Sequence, residues 1–257
     1  MPNPLREKIR NKQTCYGLWV SLESPTITEI AATLGLDWVC IDTEHGHLDY
    51  KEVIDHLRAA RGSDTAVIVR VPELQVTMLK RALDIGAHGV IVPAINTAEE
   101  AESAIQYGKY PPRGVRGIGG ERAVRWGIFS QEYLKEANEE TLVIPLIESR
   151  TAVENIDSIL ETPNLEAIYL GLADMSASYG YPGQWDAPGI PEHTQTVCQK
   201  ALAKGVAPGI LARNPDEAKV RTAQGFQWVC LGSDTGLLID GVKERMTALG
   251  LPFAPRY

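Results

Sequence analysis

The chain has 257 residues, 44% hydrophobic and 23% charged, which suits a folded, water-soluble protein with one large α/β barrel or two small domains. A net charge of -8 and a pI near 5.2 argue against a nucleic-acid or anionic-membrane partner. No run approaches the roughly 18 apolar residues of a membrane span, Met1-Pro2-Asn3-Pro4-Leu5-Arg6 has no signal-peptide core, and the four cysteines form no CxxC pair, so a cytoplasmic protein without disulfides is expected.

Strand-like and helix-like segments alternate from end to end. Short aliphatic and β-branched runs predict strands at 15–21, 37–43, 65–71, 88–93, 141–147, 165–171, 205–211 and 226–232. Amphipathic stretches near 25–35, 49–61, 74–86, 97–107, 150–161, 189–204, 214–224 and 234–249 predict the helices between them. Ser24-Pro25 and Asn214-Pro215 place a capping side chain before a proline at the first helical position. Thr97 with Glu100, and Asn214 with Glu217, have capping-box spacing. Segment 108–140 breaks the alternation. Pro111-Pro112-Arg113-Gly114-Val115-Arg116-Gly117-Ile118-Gly119-Gly120 resists regular structure; either its arginines close over an anion or Trp126 and Phe129 pack it as a solvated loop. Eight β/α units in a single domain, 1–257, predict a TIM (β/α)8 barrel. The rival, an open doubly wound sheet, lacks a GxGxxG after the first strand.

Four of the strand-like runs lead into ionisable residues. Val39-Cys40-Ile41 enters Asp42-Thr43-Glu44-His45, Ala66–Val69 ends at Arg70, Leu142–Ile147 ends at Glu148, and Ala167–Gly171 leads to Asp174. Charge inside a buried strand is costly, whereas charge at its carboxyl end faces the mouth of a parallel barrel. Glu148 and Asp174, at the ends of neighbouring strands five and six, suit a hard divalent cation such as Mg²⁺ or Mn²⁺, with Co²⁺ also accommodated. His45 has the character of a general base, with Asp42 placed to fix its tautomer. Arg70 stays protonated and can hold negative charge on an enolate or carboxylate oxygen. His47 is balanced between site and scaffold; His56, His88 and His193 read as scaffold or surface. All ten lysines fall in helix-like or loop segments, so carbonyl activation by metal is expected in place of an imine.

Gly17-Leu18-Trp19, Asp42-Thr43-Glu44-His45, Tyr110-Pro111-Pro112-Arg113-Gly114-Val115-Arg116-Gly117, Leu146-Ile147-Glu148, Gly171-Leu172-Ala173-Asp174-Met175-Ser176 and Pro208-Gly209-Ile210-Leu211 together resemble, in order and over nearly the whole chain, the HpcH/HpaI aldolase family. The resemblance implies a phosphoenolpyruvate/pyruvate-type barrel and a class II pyruvate aldolase acting on 4-hydroxy-2-oxoheptanedioate, 2-keto-3-deoxy-sugar acids or related compounds. It implies Glu148 and Asp174 as metal ligands, Arg70 as the enolate-stabilising arginine, and His45 with Asp42 as a base dyad. Glu44 and Asp84 match acidic residues near metal-bound water; Gly171, Leu172 and Ala173 match a carboxylate cradle; Trp19 and Leu211 line the pocket. It further implies a homohexamer, a trimer of dimers exchanging the last helix, here 234–249, and no organic cofactor. Two positions depart from the family: Leu146 stands where glutamine is frequent, and Leu172 where proline is.

The resulting expectation is a metal-dependent retro-aldol cleavage of 4-hydroxy-2-oxoacids to pyruvate, or an analogue such as hydroxypyruvate, and an aldehyde, with oxaloacetate decarboxylation as a side reaction. The alternatives are a CoA-ester lyase of the citrate-lyase or malyl-CoA type, against which the short chain argues, and a non-catalytic metabolite-binding barrel, against which the intact set of His45, Arg70, Glu148 and Asp174 argues.

Overall fold

Eight parallel strands close on one another in chain order: β1 (Cys15–Val20), β2 (Trp38–Asp42), β3 (Ala66–Arg70), β4 (Gly89–Val92), β5 (Leu142–Ile147), β6 (Ala167–Leu170), β7 (Ala207–Leu211) and β8 (Trp228–Ser233). This computed structural model describes residues 2–255. All eight expected strands are present, their ends displaced by no more than two residues. Around them run α1 (Pro4–Arg10), α2 (Pro25–Thr33), α3 (Tyr50–Ala59), α4 (Val76–Asp84), α5 (Ala98–Gly108), α6 (Ser130–Glu140), α7 (Arg150–Glu154), α8 (Ile156–Ile159), α9 (Leu172–Ser178), α10 (Ile190–Ala203), α11 (Pro215–Gln224) and α12 (Asp234–Ala248). The protein is therefore the expected (β/α)8 barrel.

Alternation along the strands sorts the core into two regions. Val39, Ile41, Val67, Val69, Val90 and Val92 face the helices in one cluster, while Trp38, Cys40, Ala66, Ile68, Ile144, Leu146, Tyr169, Trp228 and Cys230 fill the interior in another. Two indoles occupy the interior because two glycines make room. A Cβ on Gly17 would lie 2.2 Å from the Trp38 ring, and one on Gly209 would lie 2.2 Å from the Trp228 ring. Trp38 and Trp228 meet edge to face at 5.3 Å. Truncating either to alanine would cost about 3–5 kcal/mol. Leu5 and Ile9 of α1, a helix the strand and helix patterns do not announce, join the interior cluster. They plug the amino end of the barrel, leaving the carboxyl end as the open face.

Helix starts follow the sequence signals with one exception. Thr97 and Glu100 form a full capping box, and Asn214 accepts the Glu217 N–H at 2.9 Å, but the Ser24 hydroxyl makes no cap bond although Pro25 does open α2. Segment 108–140 is less irregular than expected: a 3-10 turn at Arg122–Val124 and α6 occupy its second half. Neither reading of its loop holds. Arg113 pairs with Glu139, buried Arg116 pairs with Asp84 at 2.8 Å, and Trp126 and Phe129 are exposed. α12 does not bury its apolar residues on its own barrel: Leu237, Leu238 and Val242 are 50%, 63% and 49% exposed, and only Asp234 is buried. Among the described residues no helix is long and apolar enough to cross a membrane. All four cysteines are free and buried.

Candidate active site

At the carboxyl end of the strands a cavity of about 200 Å³ is lined by Trp19, His45, Arg70, Leu146, Glu148, Tyr169, Gly171, Leu172, Ala173, Asp174, Trp185 and Leu211, among others. Larger hollows of about 380 and 440 Å³ open around Arg122 and Leu202, on loops that connect helices back to strand starts, away from this mouth.

Arg70 ends β3 beside Asp42 at the end of β2, the two being register partners. Arg70 Nε donates to Asp42 Oδ1 at 3.0 Å, and its Nη2 donates to Oδ2. Glu44 Oε2 lies 2.7 Å from Arg70 Nη1 as an ion pair whose orientation falls short of a hydrogen bond. The guanidinium carbon stands 5.0 Å from the Trp19 ring centroid, and the Trp19 indole N–H donates to Asp42 Oδ2 at 3.0 Å. Burial alone would raise the Asp42 carboxyl, but the Arg70 hydrogen bonds and charge, aided by Trp19, hold it below its ordinary value. Burial outweighs Arg70 at Glu44, whose carboxyl is raised.

Asp42 also accepts the main-chain N–H groups of Glu44 and His45, at 3.0 and 3.3 Å. The expected side-chain dyad of Asp42 with His45 is not formed. The carboxylate is already filled by Arg70, Trp19 and the two backbone donors, so it shapes the turn carrying His45 and leaves the ring unbonded among the described residues. That exposed ring lines the mouth and is near enough to Glu44 to favour its ionised form. His47 sits 3.4 Å from Glu23, outside the cavity. His56 bonds Thr28, His88 accepts the Val67 N–H and His193 stacks on Tyr179, so these three belong to the scaffold.

Glu148 follows β5 directly. Its Oε1 accepts the Ala94 N–H at 2.7 Å, a donor aimed by the left-handed backbone of Ala94, φ +56. Burial pushes the Glu148 carboxyl up to about 7; the Ala94 N–H opposes this, and the charges of Glu44 and Asp174 add to it. Asp174 does not end β6 as expected but stands in the first turn of α9, because Gly171 turns the chain out of the strand and a helix begins at once. A Cβ on Gly171 would fall 2.9 Å from Glu148 Oε2, so only glycine allows this approach. Leu146, a register partner of Tyr169, forms the floor, and Leu172 is buried at the wall.

Asp84 is not brought to this mouth. It ends α4, a helix that runs from the carboxyl end of β3 back to the start of β4, and there it binds Arg116. The mouth also recruits residues the sequence reading passed over: Tyr169 and Trp185 as lining, and Ala94 as a backbone donor. Tyr169 carries no charge to mark it within an apolar run, and neither a loop tryptophan nor a main-chain N–H has a periodic signature.

The donor set fits a hard cation. A half-buried carboxylate pushed to about 7 by burial and by two neighbouring carboxylates is a position that positive charge would relieve. Among the described residues no three His, Cys, Asp or Glu side chains gather as a metal cluster. Glu148 and Asp174 would offer such a cation oxygen ligands, with its other positions left to water and substrate.

A parallel barrel with buried ion pairs and carboxylates at the carboxyl ends of its strands has the architecture of a barrel enzyme. Residues 15–241 match the family described as HpcH/HpaI aldolase/citrate lyase. The chain is 35% identical over 248 residues, 96% of its own length and 92% of the relative's, to the 2-keto-3-deoxy-L-rhamnonate aldolase of Escherichia coli O9:H4 (strain HS). It is similar to the structure of an HpcH/HpaI aldolase/citrate lyase family protein from Burkholderia cenocepacia J2315, with TM-score 0.92, 32% identity and coverage of 96% of this chain and 99% of that one. It also resembles citrate synthase SbnG, with TM-score 0.86, 29% identity and coverage of 96% and 97%. The chain belongs to the HpcH/HpaI aldolase/citrate lyase family and is a carbon–carbon lyase.

Proposed function

We propose that this lyase cleaves 4-hydroxy-2-oxoacids between C3 and C4, releasing pyruvate or a close analogue and an aldehyde, in a reversible, divalent-metal-dependent reaction. The observation that carries this reading is the Arg70 guanidinium, fixed by Asp42 and Glu44 and set in one cavity with Glu148 and Asp174. Mg²⁺, Mn²⁺ or Co²⁺ held by Glu148 and Asp174 would supply Lewis-acid polarisation of the 2-oxo group.

The chain's own residues do the rest. A guanidinium has five N–H groups. Two of them bind Asp42, while Nη1 pairs with Glu44 by charge alone, leaving the others for negative charge on the enolate oxygen. The substrate carboxylate is received by the first-turn N–H groups of Leu172 and Ala173, which have no partner within α9. His45, directly or through water, takes the C4 hydroxyl proton as the C3–C4 bond breaks. Trp19 and Leu211 bound the pocket, and Leu146 keeps its floor apolar. Oxaloacetate decarboxylation, which passes through the same enolate, is a side reaction of this arrangement. The enzyme acts as a cytoplasmic homohexamer with α12 exchanged between subunits; the exposed apolar face of α12 supports this. The likeness to a citrate synthase favours a second reading, a lyase of the citrate-lyase type acting on CoA esters.

The decisive experiment measures retro-aldol cleavage and pyruvate C3 proton exchange in two variants. Arg70→Ala is expected to lose both, by about 100- to 1000-fold. His45→Ala is expected to lose cleavage at least as strongly while metal affinity is retained. Wild-type rates in Arg70→Ala, or turnover of CoA thioesters with none of 4-hydroxy-2-oxoacids, would overturn the reading.

A further inference from the structure

One wall of the mouth does not come from a strand end. Between α9 and α10 the chain runs Gly180-Tyr181-Pro182-Gly183-Gln184-Trp185-Asp186-Ala187-Pro188-Gly189, bounded by Gly180 and Gly189 at φ +90 and +86. Of this segment only Trp185 lines the cavity, beside Leu211 and Asp174. Arg213, just beyond β7, reaches across to hold it. Its Nη1 and Nη2 donate to Asp186 Oδ2 and Oδ1 at 2.8 and 3.1 Å, and its guanidinium carbon stands 5.1 Å from the Trp185 ring centroid. The remaining edge is fixed from α11: Nε donates to Glu217 Oε2 at 2.9 Å, and Glu217 is itself held by Arg221 at 2.7 Å.

The contacts with Asp186 are poorly suited to stabilising the fold. The Asp186 side chain is 73% exposed, and ion pairs of that kind contribute little. They are well suited to placement. A planar fork bound on two edges and stacked on an indole leaves neither partner free to rotate. In an eight-strand barrel β7 lies opposite β3, so Leu211 confronts Arg70 across the mouth, and Trp185 lines the same cavity. With the carboxylate received at Leu172 and Ala173 and the C4 hydroxyl turned to His45, the remaining substituent on C4 is left to the rest of the 200 Å³ cavity, which Trp185 also lines.

We propose that Arg213 is a positioning residue for specificity: by latching Trp185 and Asp186 it fixes the wall against which the aldehyde half packs, and so sets which aldehydes the mouth accepts. The inference rests on the retro-aldol reading given above. The indole offers a flat apolar face, matched to the C–H face of a hydroxylated aldehyde chain, with the cation behind it enforcing its orientation.

The test compares wild-type protein with Arg213→Ala, Arg213→Lys, Trp185→Ala and the Arg213→Ala/Trp185→Ala double variant. Aldol addition of pyruvate is measured against glycolaldehyde and longer hydroxyaldehydes, alongside pyruvate C3 proton exchange and amide hydrogen exchange of segment 180–189. Arg213→Ala should raise the aldehyde KM about three- to tenfold and flatten the preference among aldehydes, with proton exchange within about twofold of wild type. Arg213→Lys, which keeps the charge but not the fork, should behave like Arg213→Ala, and the double variant should be no worse than Trp185→Ala alone. Segment 180–189 should exchange faster in Arg213→Ala. Unchanged aldehyde preference, a kcat loss shared by proton exchange, or additive losses in the double variant would overturn the proposal. A wild-type protein that exchanges no pyruvate C3 proton would count against the retro-aldol reading instead. The latch is then judged by amide exchange alone, and unchanged exchange of 180–189 in Arg213→Ala overturns it.

Discussion

Asp42 and Arg70 are register partners on adjacent strands, and the carboxylate of the first accepts two N–H groups of the second inside the barrel rim. With side chains only 6% and 10% exposed, Asp42 would be an uncompensated charge without Arg70, and Arg70 without Asp42 would keep only Glu44. Asp42→Leu should lower stability by about 3 kcal/mol or more in urea titration. The double variant Asp42→Leu/Arg70→Met should recover much of that loss; a double no more stable than the single would show that the pair is not the source. The Asp42 carboxyl lies below its ordinary value of 3.8, so the stability it contributes is fully present above that pH and is lost as pH falls through the lower folded value.

Metal removal should stop turnover. Among the described residues no lysine lines the mouth, so no amine there is placed to form an imine. Exhaustive chelation is expected to abolish cleavage, and Mn²⁺, Co²⁺ or Mg²⁺ to restore it. Borohydride added with pyruvate should leave the mass of the chain unchanged; a reduced adduct on any lysine would contradict the mechanism.

Protons and metal should compete at Glu148. Its carboxyl is raised to about 7, so below that pH the neutral form prevails and must lose its proton to bind a cation. Apparent Mn²⁺ affinity should fall about tenfold per pH unit below that value and level off above it. Calorimetry in buffers of different ionisation enthalpy would register the released proton. In the metal-free protein the same raised carboxyl binds more protons folded than unfolded, so its contribution to stability decreases as pH rises from 4.5 to about 7. A pH-independent affinity would remove Glu148 from the ligand set.

The exposed face of α12 predicts assembly. Leu237, Leu238, Ile239 and Val242 leave an apolar surface that a single barrel does not cover. Light scattering should give a multiple of the 28.1 kDa chain, and Leu238→Asp/Val242→Asp should shift the protein to smaller species. A wild-type mass of one chain would refute exchange.

Leu146→Gln should alter selectivity more than chemistry. The side chain is 2% exposed and forms the floor two residues before Glu148. With leucine there, no buried polar group is stranded when a substrate hydroxyl is missing, so small hydroxy- and polyhydroxy-aldehydes should be accepted with little discrimination. Glutamine should narrow or shift that preference while changing pyruvate proton exchange by less than about tenfold. Loss of exchange would place position 146 in the catalytic machinery.

Legibility in the sequence followed physical cause. Arg70 and Glu148 were readable because a charge closing an aliphatic run has only one comfortable place in a parallel barrel, its open end. The position of Asp174 was readable only approximately, because a seven-residue helix starting just after β6 is too short to show a period. The partner of Asp42 was misread for a different reason. Sequence proximity favoured His45, whereas barrel register placed Arg70, 28 residues away, alongside it. The destination of Asp84 and Arg116 was hidden in the same way, since they stand 32 positions apart with β4 and α5 between them. α1 and α6 lie outside the β/α alternation, so no repeat called for them.

The fit of Gly17 against Trp38 and of Gly209 against Trp228 gives the pocket a bedrock. A single methyl added at either glycine would collide with a fully buried indole. Any drift toward a bulkier or slimmer substrate is thereby confined to the loops above the strands. Divergence among such catalysts is expected to be topsoil, laid down in segments like 180–189, over a bottom that selection cannot easily excavate.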